Sequence, residues 1–181
     1  MAKLIIGTVR VLGALPVLRW AFVGAIIAIL VDASDIFLMN IFNWAGWGSL
    51  GSYHHFDKYA DQAYAVTFLI AALRWRGTPR NVAVALFSYR LIGVIAFEAT
   101  DAHVMLLFFP NLFEFWFLFV ASLPHWNPAF AFTRRSVASW GAALLAAKET
   151  QEFVLHWGRW LDRFTAFEAI EAIWRWLTPP F

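Results

Sequence analysis

The chain contains no cysteine, which excludes disulfides, thiolate metal ligation, haem thioether attachment and cysteine nucleophiles. That absence says nothing about compartment, because a helix bundle in a bilayer needs no covalent staples. Charge is scarce too: Asp, Glu, Lys and Arg make up 14% of the 181 residues, with a formal net charge of +2. No stretch has the clustered basic surface of a nucleic-acid binder, so nucleic acid is not expected as a partner. Soluble domains carry about 25% charged residues, so a soluble fold is out of keeping with this composition.

Apolar and aromatic bulk takes the place of charge. Hydrophobic residues make up 61% of the chain, mean hydropathy is +0.62, and there are 19 Phe and 11 Trp. A membrane span needs roughly 20 apolar residues, and five such stretches fit with short links between them. The expected fold is all-α, a single domain over 1–181: a polytopic transmembrane helix bundle of five spans plus amphipathic N- and C-terminal helices. Most aromatic side chains are expected to serve as interfacial anchors.

Lys3 to Leu15 is too short and too basic to cross, and reads as an amphipathic helix lying on the membrane surface and ended by Pro16. Val31, Asp32 and Ala33 loosely imitate a signal-peptide cleavage site, but the Asp and the renewed apolar run from Ile36 to Phe42 argue for a retained helix. The crossings are expected at about Val17–Met39, Asp57–Trp75, Val82–Glu98, His103–Leu123 with a kink at Pro110, and Ser136–Trp157. Gly46, Gly48 and Gly51, with Trp44 and Trp47, suit an interfacial loop. Trp160–Leu177 places its apolar residues along one helical face, as an interfacial helix does, and is the one candidate for a sixth span.

Lys and Arg in short loops mark the cytoplasmic side. Lys3, Arg10 and Arg19 precede the first span, Arg74, Arg76 and Arg80 follow the second, and Arg134 and Arg135 precede the fifth. All three groups then share one side, which predicts a bacterial inner (plasma) membrane protein with a cytoplasmic amino terminus.

At the opposite helix ends the acids gather: Asp32, Asp35, Asp57, Asp61, Glu98, Asp101, Glu149 and Glu152. Carboxylates in or beside hydrocarbon are costly and mark functional sites. Asp32 and Asp35 are three apart and Asp57 and Asp61 four apart, so in helices each pair shares a face. Converging carboxylates repel unless a cation, a shared proton or basic partners compensate them. Hard oxygen donors suit Mg²⁺, Ca²⁺ or Mn²⁺. His103 follows Glu98 and Asp101, and His156 lies four after Glu152, additions that would also accept Zn²⁺ or iron or relay protons. The competing structural reading has Lys58 and interfacial water neutralise the acids. His125, beside a basic loop, carries no role.

Arg90 and Glu114 fall near the middle of the third and fourth spans, where a buried ion pair is the economical reading and a phosphate bound by Arg90 the functional one. Lys148, Gln151 and Glu152 add a polar stripe expected to face inward.

The run Asp32-x-x-Asp35, a spacer, then Asp57-x-x-x-Asp61 resembles the four-aspartate signature of the CDP-alcohol phosphatidyltransferases, membrane enzymes of similar length. Ile36, Met39, Asn40 and Tyr53 stand where that signature has Gly, Ala, Arg and Gly. The resemblance implies divalent metal on Asp32, Asp35 and Asp57, Asp61 as the base activating an alcohol acceptor, a lipid substrate, and a basic residue at Arg90. The stretch from Lys148 to Asp162 is otherwise similar to uncharacterised polytopic bacterial membrane proteins.

Three functions stay open at this point. One is a divalent-cation site serving lipid head-group or phosphoryl chemistry. The second is a proton- or cation-coupled transporter using Arg90, Glu114, Lys148 and Glu152. The third is an accessory subunit packing against other membrane subunits.

Overall fold

The computed structural model of the chain describes residues 2–41, 62, 64–100, 108–153 and 174–175. Among them all regular structure is helical: α1 (Ala2–Ala14), a 3-10 turn (Leu15–Leu18), α2 (Ala21–Ile41), α3 (64–72), α4 (Thr78–Thr100), α5 (Leu112–Trp126) and α6 (Arg134–Glu152). The loop around Gly46–Gly51 lies outside the described residues, as does Trp160–Leu177 apart from Trp174 and Arg175. α4, with 23 residues, is the one described helix both long and apolar enough to cross a bilayer. At 1.5 Å per residue it measures about 34 Å.

The first correction concerns α1. It does not lie apart as a surface helix; Pro16 ends it in a 3-10 turn, and the chain doubles back so that α1 packs antiparallel along α2. Arg10 sits opposite Asp32 and Gly13 opposite Val31, while Val17 meets Gly24 at the turn. The reason is steric. A Cβ on Gly24 would stand 2.3–2.5 Å from the backbone of Pro16 and Val17, so only glycine lets the turn close onto α2. Pairing buries Arg10, Ala14, Val17, Ala25 and Ala28, and supplies a partner for a charge that a surface helix would have left in water.

α5 is the hub, packing against α2, α4 and α6 and against α3 through aromatic rings. Phe113, Trp116 and Phe117 are essentially fully buried. Phe117 lies 4.6 Å from Phe68 of α3 and stacks at 5.0 Å on Trp75, while Phe113 meets Phe87 of α4 edge-on at 5.5 Å. The Trp116 indole donates to the Pro79 carbonyl over 3.1 Å, fastening the start of α4 to α5. On the other side, Phe119 stacks on Trp140 of α6 at 4.6 Å. These aromatic side chains are thus core rather than interfacial anchors. Ring pairs of this kind add about 0.5–1.5 kcal/mol beyond their area. Trp20 and Trp126, by contrast, are 62% and 79% exposed.

A capping box starts α6. Thr133 Oγ1 accepts from the Ser136 amide at 3.1 Å, and Ser136 Oγ accepts from the Thr133 amide at 2.9 Å, satisfying two amides the helix cannot.

The arginine-rich turns do meet at one end. Arg74 donates through Nη1 to the Leu18 carbonyl, joining the first turn to the one after α3. Trp75, Arg76 and Pro79 line a cleft together with Asn127, Pro128, Phe130 and Phe132 of the α5–α6 loop. Arg19, Arg74, Arg76, Arg80, Arg134 and Arg135 are all exposed there. Arg10 is the exception: α1 climbs away from this end, so its own start points to the opposite one.

Replacing Gly24 with valine should lower the unfolding free energy by about 1–3 kcal/mol through overpacking. Thermal unfolding in detergent checks it, and an unchanged midpoint would refute the close approach.

Candidate functional site

Charged and polar side chains gather at one level of the bundle. Measured from the arginine end, Asp32 lies 11 residues into α2, Arg90 12 into α4 and Lys148 14 into α6, and Glu114 is 12 before the end of α5. At 1.5 Å per residue these positions stand about 16–21 Å from that end. For α4 this is the middle of the helix. The only buried charged residues among those described, Arg10, Arg90 and Lys148, belong to this layer.

Local contacts tie the layer together. Arg10 Nη2 lies 3.1 Å from Asp32 Oδ1; Arg10 is 5% exposed and Asp32 33%. Glu114 Oε2 accepts from the Tyr64 hydroxyl and from Asn111 Nδ2, each at 3.0 Å. Lys148 donates to Gln151 Oε1 at 3.0 Å, and its ammonium stands 5.6 Å from the centre of the Phe115 ring. The inward polar stripe expected on this helix is therefore realised at Lys148.

Arg90 and Glu114 lie on helices that are antiparallel neighbours, as expected, but the ion pair expected between them does not form. The cause is a break in the chain before α5. Where a kink at Pro110 was expected, Phe109–Asn111 are non-helical, and α5 starts only at Leu112. Proline has no amide hydrogen and clashes with the preceding turn, so the interruption strips carbonyls of their helical partners. α4 supplies replacements. Tyr89 donates to the Phe108 carbonyl, and Arg90 Nη1 donates to that of Phe109 at 2.8 Å. Gly93, one turn along, allows the contact: a Cβ there would stand 2.2 Å from Phe109 Cβ. Arg90 turns Nη1 to the break, and Glu114 Oε2 takes the Tyr64 and Asn111 donors.

Fewer of the expected metal-site residues can be located. Asp57, Asp61, Asp101, His103 and His156 lie outside the described residues, and so do the side chains of Asp35 and Glu152, whose backbones belong to α2 and α6. Glu98 is exposed near the end of α4, and Asp32 is engaged by Arg10. Among the described residues no three His, Asp or Glu stand close enough to share a metal ion. His125 packs on the Phe22 ring at 5.6 Å, in keeping with a structural part.

Tyr64, Asn111, Tyr89 and Gly93 were not singled out from sequence. Two signals pointed toward them: a proline inside an apolar span must free carbonyls, and a glycine one turn from an arginine on the same helical face opens room for an incoming backbone. A cleft of about 480 Å³ between α2, α5 and α6 is lined by Phe22, Ile26, Phe115, Leu118, Trp126 and neighbours, with Ser122 its one polar member. It suits an acyl chain and has no group for chemistry.

No family model matches the chain, and neither does any curated protein or solved structure.

Removing one side of the α1–α2 ion pair should cost more than removing both. Asp32→Ala removes the Arg10 counter-charge at 3.1 Å, at about 2–3 kcal/mol, below the ~3–5 kcal/mol of a fully buried pair because Asp32 is partly accessible. Arg10→Met combined with Asp32→Leu should recover most of that loss in chemical denaturation, whereas a double variant as unstable as Asp32→Ala would count against a buried pair.

Proposed function

We propose that this chain is an integral membrane protein, a polytopic helix bundle that moves protons or other cations in a coupled fashion through its mid-depth polar layer. The observation that carries the reading is the combination of that layer with the apolar outer surface around it. Val23, Ile26, Ile27 and Leu30 on α2, Val66 and Ile70 on α3, and Leu91, Ile92 and Ile95 on α4 are all exposed. Water is a poor solvent for such a surface, and hydrocarbon a good one. Ionisable groups held inside a bundle with that exterior are costly and mark ion or proton pathways.

The interrupted fourth helix supports the same reading. Helices broken near the bilayer midplane, with the freed backbone facing other helices, are how carriers build binding sites. Glu114, at the start of α5 with a phenol and an amide on one carboxylate oxygen, is the group best placed to gain and lose a proton. Arg90, at the break, and Lys148, across α5, provide fixed positive charge. The arginine turns would face the cytoplasm, by the excess of Lys and Arg there, and α1 would begin on the far side.

Proteoliposomes under an imposed pH gradient test this. The wild-type protein should dissipate the gradient faster than empty liposomes, and Glu114→Gln should slow that flux at least tenfold; flux indifferent to the substitution would reject the reading. Because the chain has no native cysteine, Arg76→Cys and Arg135→Cys give clean topology probes. Both should react with an impermeant maleimide in inverted vesicles and not in intact cells, and the reverse pattern would overturn the orientation.

A further inference from the structure

Arg90 has more donors than the bundle uses. A guanidinium carries five N–H groups. Here one bond, from Nη1 to the Phe109 carbonyl, is formed, while Nε is buried without a hydrogen-bond partner and the side chain is 7% exposed. No carboxylate among the described residues pairs with Arg90, and Glu114, the expected one, is held by Tyr64 and Asn111. A guanidinium buried at this depth with one neutral acceptor is a poorly compensated charge, and such charges are strongly destabilising unless a counter-charge arrives.

The surroundings are built for that arrival. The bond through Nη1 leaves the Nε–Nη2 edge, the side of the guanidinium that matches two oxygens of one planar anion. Tyr89, Arg90 and Gly93 hold the Phe108–Asn111 turn against α4. α5 begins directly after that turn, with no side chain capping its first amides. The positive end of the helix adds to the field of Arg90, while the Leu112 amide turns back to the Pro110 carbonyl at 2.8 Å and Glu114 places a carboxylate in the same first turn. The rest of the buried α4 face is apolar, with Ala83, Val94 and Phe97 beside Arg90, and Phe87 and Phe113 packed one turn below.

We propose that Arg90 and the broken start of α5 form a binding site for a monocarboxylate, its carboxylate on the Nε–Nη2 edge and its apolar part among the phenylalanines. One guanidinium balances one negative charge, so a singly charged anion fits where a phosphate dianion would need a second cation. A planar carboxylate uses both donors of the edge, which a halide does not. The proposal rests on the polar layer described above and names the substrate class of that layer, but binding at Arg90 does not itself require transport.

Isothermal titration of the purified full-length protein in detergent tests it, with benzoate, acetate, chloride and inorganic phosphate as separate titrants at matched ionic strength. Benzoate should bind saturably with a stoichiometry near one, acetate more weakly, and chloride and phosphate at least tenfold more weakly than benzoate. Arg90→Lys keeps the charge but loses the planar edge, and should weaken benzoate at least tenfold in protein with unchanged helical circular dichroism. Should that variant fail to fold, the order of the four titrants on the wild-type protein decides alone. Overturning results are no saturable benzoate binding, chloride or phosphate binding as tightly as benzoate, or benzoate affinity unaltered in folded Arg90→Lys. Saturable benzoate binding in a protein that passes no protons would sustain this site while defeating the transport reading, and proton flux without benzoate binding would do the opposite.

Discussion

Backbone carbonyls released inside an apolar bundle must find donors, because an unpaired buried polar group costs about as much as a lost hydrogen bond. That constraint organises the middle of this protein. The chain at Phe109–Asn111 is non-helical, and the carbonyls of Phe108 and Phe109 pass to Tyr89 and Arg90 of α4. Once Arg90 turns to the break, Glu114 must look elsewhere, and finds Tyr64 and Asn111. The non-helical turn at Phe109–Asn111 thereby sets the partners of three helices.

The same demand explains the amino-terminal hairpin. Arg10 can leave water only where a carboxylate meets it, and Asp32 is reachable only if the chain reverses tightly at Pro16–Val17. Small residues at Gly13, Ala14, Gly24, Ala25 and Ala28 let the two backbones approach. Close packing and charge neutralisation support each other here: separate the helices by a methyl group and the ion pair lengthens as well. Around α5 the cohesion is of a different kind, supplied by aromatic rings of α3, α4 and α6 packed onto Phe113, Phe117 and Phe119.

Legibility from sequence followed the range of the interaction. Helical periodicity is local, so the helices over Ala21–Ile41, Thr78–Thr100 and Arg134–Glu152 sit close to where hydropathy put them. The gathering of the arginine turns was also legible, because successive short loops must alternate between ends. What Asp32 touches was not: the acid pattern suggested a cation, and the partner turned out to be Arg10, 22 residues earlier on a helix read as lying apart. The Arg90–Glu114 pairing failed for a similar reason, since hydrophobicity counts charges without registering a carbonyl left over from a proline break. The four-aspartate resemblance involves Asp57 and Asp61, beyond the described residues, and its described member Asp32 is occupied by an arginine.

Composition and spacing were enough to determine that the chain is helical and unusually apolar, where its turns fall, and that its few charges would have to be sheltered together. Which charge shelters which was decided only by the tertiary fold, because that depends on two backbones approaching within a methyl group's width at Gly24 and Gly93 and on where an interrupted helix leaves its carbonyls. Such contacts join residues that are distant in sequence, and hydrophobic periodicity holds no record of them.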